Sequence, residues 1–166
     1  MISLKRFFLG MSLLMVALVA VACGSSNSTT TASSSPVVLI KTAPATVNGQ
    51  SVTILTNTQG MTLYYFKPDT ATTSNCTGTC ASNWPPLVFT SSGSPASANA
   101  LPGTLSVVTD ANGQQVEYNG HLLYKYSGDT APGQTNGEGI KGVWFVATTT
   151  LSVQGTPQTT PSGYGY

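Results

Sequence analysis

Beyond the N-terminus, apolar and polar side chains alternate in short runs with the two-residue period of a half-buried β-strand. The pattern predicts strands over residues 52–56, 61–67, 87–90, 105–109, 114–118, 121–126 and 144–149. Asn119-Gly120, the dipeptide most favourable to a type I′ turn, joins two of these as a hairpin. Longer turns, Asn57-Thr58-Gln59-Gly60 and Asp110-Ala111-Asn112-Gly113, separate other pairs. Side chains alternate along a strand, so Tyr64 and Phe66 share one face while Leu63 and Tyr65 share the other. Tyr124 and Tyr126 lie opposite Leu123 and Lys125 in the same way. No stretch past the N-terminus keeps a helical period. The predicted fold is all-β, a single compact antiparallel domain.

The chain repeats itself at a shift of sixty positions. Gly60, Leu63, Tyr64, Asp69, Thr70, Ala71 and Trp84 recur as Gly120, Leu123, Tyr124, Asp129, Thr130, Ala131 and Trp144, without a gap. Two copies of one unit, near 60–84 and 120–144, are implied, each covering an apolar face of the other.

The N-terminus carries different information. Lys5 and Arg6 precede an uncharged apolar run over residues 7–21, which ends in Ala20-Val21-Ala22-Cys23-Gly24. This is the charge and length pattern of a secretory signal peptide over residues 1–22. The run is shorter than the roughly 20 residues that a membrane-spanning helix needs. With its cysteine after small residues, the site resembles a bacterial lipobox. The resemblance implies acylation of Cys23, cleavage before it and attachment to membrane lipid, on the extracytoplasmic side of a cell membrane or outer membrane. Each buried methylene adds ~0.8 kcal/mol, so two or three acyl chains hold where one does not.

Without residues 1–22, four lysines face five acids, a balance that attracts no nucleic acid. Ser, Thr, Asn and Gly supply the polarity, which suits strands and turns. Residues 23–46 begin with the lipidated cysteine and a Ser/Thr-rich stretch and are assigned to a tether. Residues 47–155 form the two-repeat domain, and residues 156–166 a tail.

Tyr64-Tyr65-Phe66-Lys67-Pro68-Asp69 and Tyr124-Lys125-Tyr126-Ser127-Gly128-Asp129 both read Tyr-x-[Phe/Tyr]-x-x-Asp. Over roughly residues 47–147 the chain resembles a family of predicted bacterial lipoproteins named for that motif, the secreted repeat of unknown function. Cys76-Thr77-Gly78-Thr79-Cys80 before Trp84-Pro85-Pro86-Leu87, and Gly133 to Gly142 before Val143-Trp144-Phe145-Val146, fit the resemblance. The position after Trp144, histidine in some relatives, is Phe145 here. The family implies a location but no reaction.

Asp69 and Asp129 stand in turn sequences, where such a side chain accepts a backbone N–H; general acid/base work is the alternative. The face formed by Tyr64, Phe66, Tyr124 and Tyr126 reads as core or as a ligand platform, with Trp84 and Trp144 a possible ligand surface. Cys76 and Cys80 lack the second pair or histidine that zinc or haem would need. After export they form a disulfide, structural or redox-active; so short a loop adds about 2 kcal/mol. Met61 and His121 occupy equivalent repeat positions and are weak candidates for copper. The glycines before Trp144 precede a strand, so they do not cradle phosphate. No cofactor and no catalytic set follow from these residues.

The sequence therefore predicts a lipid-anchored extracytoplasmic lipoprotein, a binding or surface-structural module whose partner is an envelope protein or a small ligand. An envelope redox, electron-transfer or copper-handling protein is the alternative. Cys23→Ser removes the acylated thiol, so the protein is expected to accumulate as precursor or to appear in the medium. Fractionation and intact mass test this; unchanged mass and membrane retention would refute the anchor.

Overall fold

The structure, a computed structural model, describes residues 35–155. The signal segment, Cys23 and the tail over residues 156–166 lie outside the described residues. In chain order the elements are strands β1 (Val37–Val47), β2 (Gln50–Asn57) and β3 (Tyr64–Phe66), the one-turn helix α1 (Thr79–Asn83), then β4 (Pro95–Ser97), β5 (Leu105–Asp110), β6 (Gly113–Tyr118) and β7 (His121–Tyr124). A 3-10 turn (Ile140–Gly142) leads into β8 (Trp144–Val146). The strands form a three-stranded sheet, β2-β1-β4, and a five-stranded sheet, β5-β6-β7-β3-β8.

This is the all-β, antiparallel-rich two-repeat architecture that the alternation predicts, with local departures. Residues 37–46, assigned to the tether, belong instead to β1, and Ile40 there is fully buried. β1 pairs with β2 along its length from Ile40 to Val47. Its composition concealed it, because Pro44 cannot donate to a ladder and argues against a strand. Pro44 is tolerated because β4 pairs only with Val37, Val38 and Ile40, leaving that edge open further along. The β1–β4 pairing is parallel, where only antiparallel pairing was expected. The helical turns at α1 and Ile140–Gly142 are likewise additions to an all-strand reading.

Turn chemistry sets two of the hairpins. Asn48-Gly49 joins β1 to β2 with φ of 50° and 80°, and Asn119-Gly120 joins β6 to β7 with φ of 52° and 82°. Consecutive left-handed residues define the type I′ turn, which matches the twist of the strands it joins.

The two copies interlock. In the first, Leu63 N–H donates to the Leu55 carbonyl, and the strands then diverge. The segment after Trp144 enters the gap: Leu55 N–H donates to Ala147 O, and Ala147 N–H to Leu63 O. In the second copy, the segment after Trp84 enters between β6 and β7. There Leu87 N–H donates to Leu123 O, and Val116 N–H to Leu87 O. Each hairpin thus clasps a strand from the other copy, which supplies the partners its buried backbone requires.

Both faces of this assembly are covered. Leu63 and Leu123 face a core with Ile40, Leu55, Leu87, Phe89, Val116, Tyr118 and Ala147. Tyr64 and Tyr124 face a second with Ile54, Cys76, Trp84, Leu122, Trp144 and Val146. Residues 61–70 and 121–130 follow the same burial pattern position by position.

Neither copy can complete its own sheet, so a chain divided in the exposed segment at residues 90–93 is expected to give two halves unfolded alone. Mixed in equal amounts, they are expected to regain the intact protein's far-ultraviolet circular dichroism. A half that folds by itself would show the copies to be independent.

Candidate functional site

The antiparallel register of β3 and β7 sets Tyr64 opposite Tyr124, so an approximate two-fold axis relating the copies passes between them. Each phenol reaches the other copy's aspartate: Tyr64 O–H donates to Asp129 Oδ2 at 2.6 Å, and Tyr124 O–H to Asp69 Oδ2 at 2.6 Å. The second oxygen of each carboxyl holds its own loop. Asp69 Oδ1 accepts Asn75 N–H at 2.7 Å, and Asp129 Oδ1 accepts Asn136 N–H at 3.0 Å. Both asparagines return a side-chain bond, to the carbonyls of Pro68 and Gly128. The aspartates therefore do accept backbone N–H groups, across loops longer than a simple turn, and they also bind tyrosines that sequence reasoning left unpaired.

The copies differ around the phenols. Ser74 Oγ lies 2.7 Å from Tyr124 Oη, whereas the Gly137 N–H donates to Tyr64 Oη at 3.2 Å. A Cβ at Gly137 would lie 2.8 Å from both the Trp84 and the Tyr64 ring, so only glycine lets this backbone approach. Burial pushes both phenols well above the ordinary tyrosine range, and the hydrogen bonds to Asp129 and Asp69 push the same way. Both therefore stay protonated donors. Burial also raises Asp69, opposed by the bonds from Tyr124 and Asn75.

Beside these pairs lies a stack of four rings. Trp84 and Trp144 are parallel to within 1°, with centroids 3.8 Å apart. Phe66 stacks on the outer face of Trp144 at 4.3 Å, and Tyr126 on that of Trp84 at 4.3 Å. Again each tryptophan stacks on the other copy's motif residue, while meeting its own copy's tyrosine edge-on, Tyr64 at 5.4 Å and Tyr124 at 5.2 Å. Trp84 is 5% exposed and Trp144 3%. Both faces of each ring are already covered, so a ligand meets these tryptophans only at their edges. The motif face likewise divides, with Tyr64 and Tyr124 in the core and Phe66 and Tyr126 half-buried.

The stack floors a cleft of about 460 Å³. Thr79, Cys80 and Asn83 of α1 form one wall, and Ile140, Lys141 and Val143 around the 3-10 turn form the other. Those walls stand at equivalent places in the two copies. A disulfide joins Cys76 to Cys80; its first sulfur is in the core and its second half lies along the cleft.

Met61 and His121 are not brought together. Extending the register past Tyr64 and Tyr124 places them six positions apart along the strands, roughly 20 Å. His121 Nε2 instead lies 3.1 Å from the Ser152 carbonyl, and its ring packs against Tyr65 at 4.8 Å. Burial lowers its pKa, against the pull of that carbonyl and of Glu117. The copper candidate is corrected on this geometry.

Lys141, Asn75 and Asn136 were missed. The loop after the aspartate takes six residues to its asparagine in the first copy and seven in the second, so a rigid shift of sixty aligns Asn75 with Thr135. A shift allowing one gap would have found the pair.

A family model described as a secreted repeat of unknown function matches the chain twice, over residues 45–88 and 106–148. No curated protein and no solved structure gives a match.

The aspartate–tyrosine pair carries a pH signature. A carboxyl whose pKa is raised on folding holds its proton in the folded state after the unfolded chain has lost it. Between 3.8 and the raised value, Asp69's contribution to stability therefore falls as pH rises. Removing a bond that favours the charged form raises that value further, so Tyr124→Phe is expected to move the Asp69 titration to higher pH and widen the window. The variant should also lose about 1.5–3 kcal/mol at neutral pH. Carboxyl carbon NMR and denaturant unfolding measure both; an unmoved Asp69 titration would show the bond to be energetically idle.

Proposed function

The chain belongs to this family of secreted repeats, and on that premise we propose that it is a lipid-anchored extracytoplasmic binding module, not an enzyme, whose ligand site is the cleft over the four-ring stack. The family supports an address outside the cytoplasm. The lipobox-like sequence at Cys23 supports the anchor, with membrane lipid as its partner.

One observation carries the binding reading: a cleft whose floor and both walls come equally from the two copies. Its volume lies in the range of small-molecule sites, and it joins a mostly apolar lining to a few polar groups at the rim. The buried Tyr–Asp pairs support a holding role instead of catalysis, because they lie beside the stack in the core and fix the segments that carry Phe66 and Tyr126. A rigid floor reduces the ordering that a ligand must induce.

The indole N–H signals of Trp84 and Trp144 report on this site. In an NMR screen of small aromatic fragments, binders are expected to move both signals. Asn83→Phe, a substitution at an exposed wall position, is expected to fill the cleft and abolish those shifts while leaving the fold intact. Fragments that bind elsewhere, or that bind the filled variant equally well, would overturn the assignment.

A further inference from the structure

We infer that the cleft selects a planar aromatic anion, with Lys141 as its counter-ion; this rests on the cleft being the ligand site. Two independent features point to that class.

The first is the orientation of the floor. Each tryptophan has both faces covered, by the other tryptophan and by Phe66 or Tyr126, so what Trp84 and Trp144 turn toward the cleft is ring edge. The edge of an aromatic ring is the positive part of its quadrupole, and its preferred neighbour is the negative face of another ring. An aromatic body lying flat across the edges makes edge-to-face contacts with both indoles. A cation there would meet the unfavourable part of each ring, because attraction between cations and aromatics needs the face.

The second is the charge. Among the lining residues Lys141 alone is charged, with no aspartate or glutamate in the lining, and among the described residues it has no ion-pair partner. Its backbone is left-handed, φ 54°, between Gly139 at 73° and Gly142 at 68°. Glycine would adopt that conformation without strain, yet the middle residue is a lysine whose side chain stands at the rim of the cleft. An anionic substituent on the ligand meets this ammonium, while Thr79 and Asn83 on the opposite wall offer neutral polar groups. At about 460 Å³ the cleft admits a body of two or three fused or linked rings.

The test uses a matched pair of probes, 8-anilinonaphthalene-1-sulfonate and its uncharged parent N-phenyl-1-naphthylamine. The chain has two tryptophans, both in the floor, so tryptophan quenching in the full-length protein reads binding at this site. Each probe is titrated into the parent protein, Lys141→Gly and Lys141→Arg prepared identically, so that partition into lipid or detergent is common to all. Lys141→Gly suits the left-handed position, and its unfolding midpoint confirms that the fold is kept. The sulfonate is expected to bind the parent more tightly than the neutral probe. It should weaken about fivefold in Lys141→Gly, the factor for a partly exposed charge pair, and recover in Lys141→Arg, with the neutral probe unmoved throughout. Equal weakening of both probes, or of neither, would overturn the anion selectivity and leave the cleft as a neutral site. If neither probe quenches the tryptophans, the cleft itself is not a ligand site for aromatic molecules, and the inference falls with it.

Discussion

The two tyrosines that open the repeat motif, Tyr64 and Tyr124, are buried beside the axis, and each is hydrogen-bonded by the other copy's aspartate. The bonds from Tyr64 to Asp129 and from Tyr124 to Asp69, both 2.6 Å, cross the approximate two-fold axis in opposite directions. A buried phenol and a buried carboxyl are each costly without a partner, by roughly 1–3 kcal/mol for the neutral group and more for the charged one. Neither copy can avoid that cost alone. The six-residue motif spacing therefore serves an arrangement between copies, and the domain stands or falls as a pair.

The same exchange recurs at every level above the motif. The strand after each tryptophan completes the other copy's hairpin, and each tryptophan stacks on the other copy's Phe66 or Tyr126. Backbone ladder, aromatic stack and polar pair all cross the axis together. Shared crossings make the contacts cooperative, because losing one copy's strand removes ring and carboxyl partners from the other. The disulfide at Cys76–Cys80 reinforces one loop of this system; in the other copy Ile140 stands at the place of Cys80 and packs against the core instead.

That interlock also explains why the candidate site lies where it does. Equivalent turns before the two tryptophans face each other across the axis, and the space between them is the cleft. The asymmetry that gives the site chemical character, Lys141 on one wall and Asn83 on the other, comes from positions where the repeat has diverged. Symmetry built the cavity, and divergence furnished it.

The period-two alternation, the Asn-Gly turn and the sixty-residue shift were enough to read an all-β two-repeat domain, because these are local properties of strands and turns. β1 escaped notice because Pro44 and an Ala/Thr-rich run weaken the local pattern, although Asn48-Gly49 marked its end; only the open edge beside Pro44 makes the strand admissible. The sequence by itself determined which residues were special: both tyrosines, both aspartates, both tryptophans and the cysteine pair. Tertiary structure decided with whom each pairs. Equivalent residues look alike in both copies, so a sequence cannot say whether Tyr64 meets Asp69 or Asp129. That choice depends on the antiparallel register at the axis, which fixes distances between residues sixty-five positions apart and is encoded in no single segment.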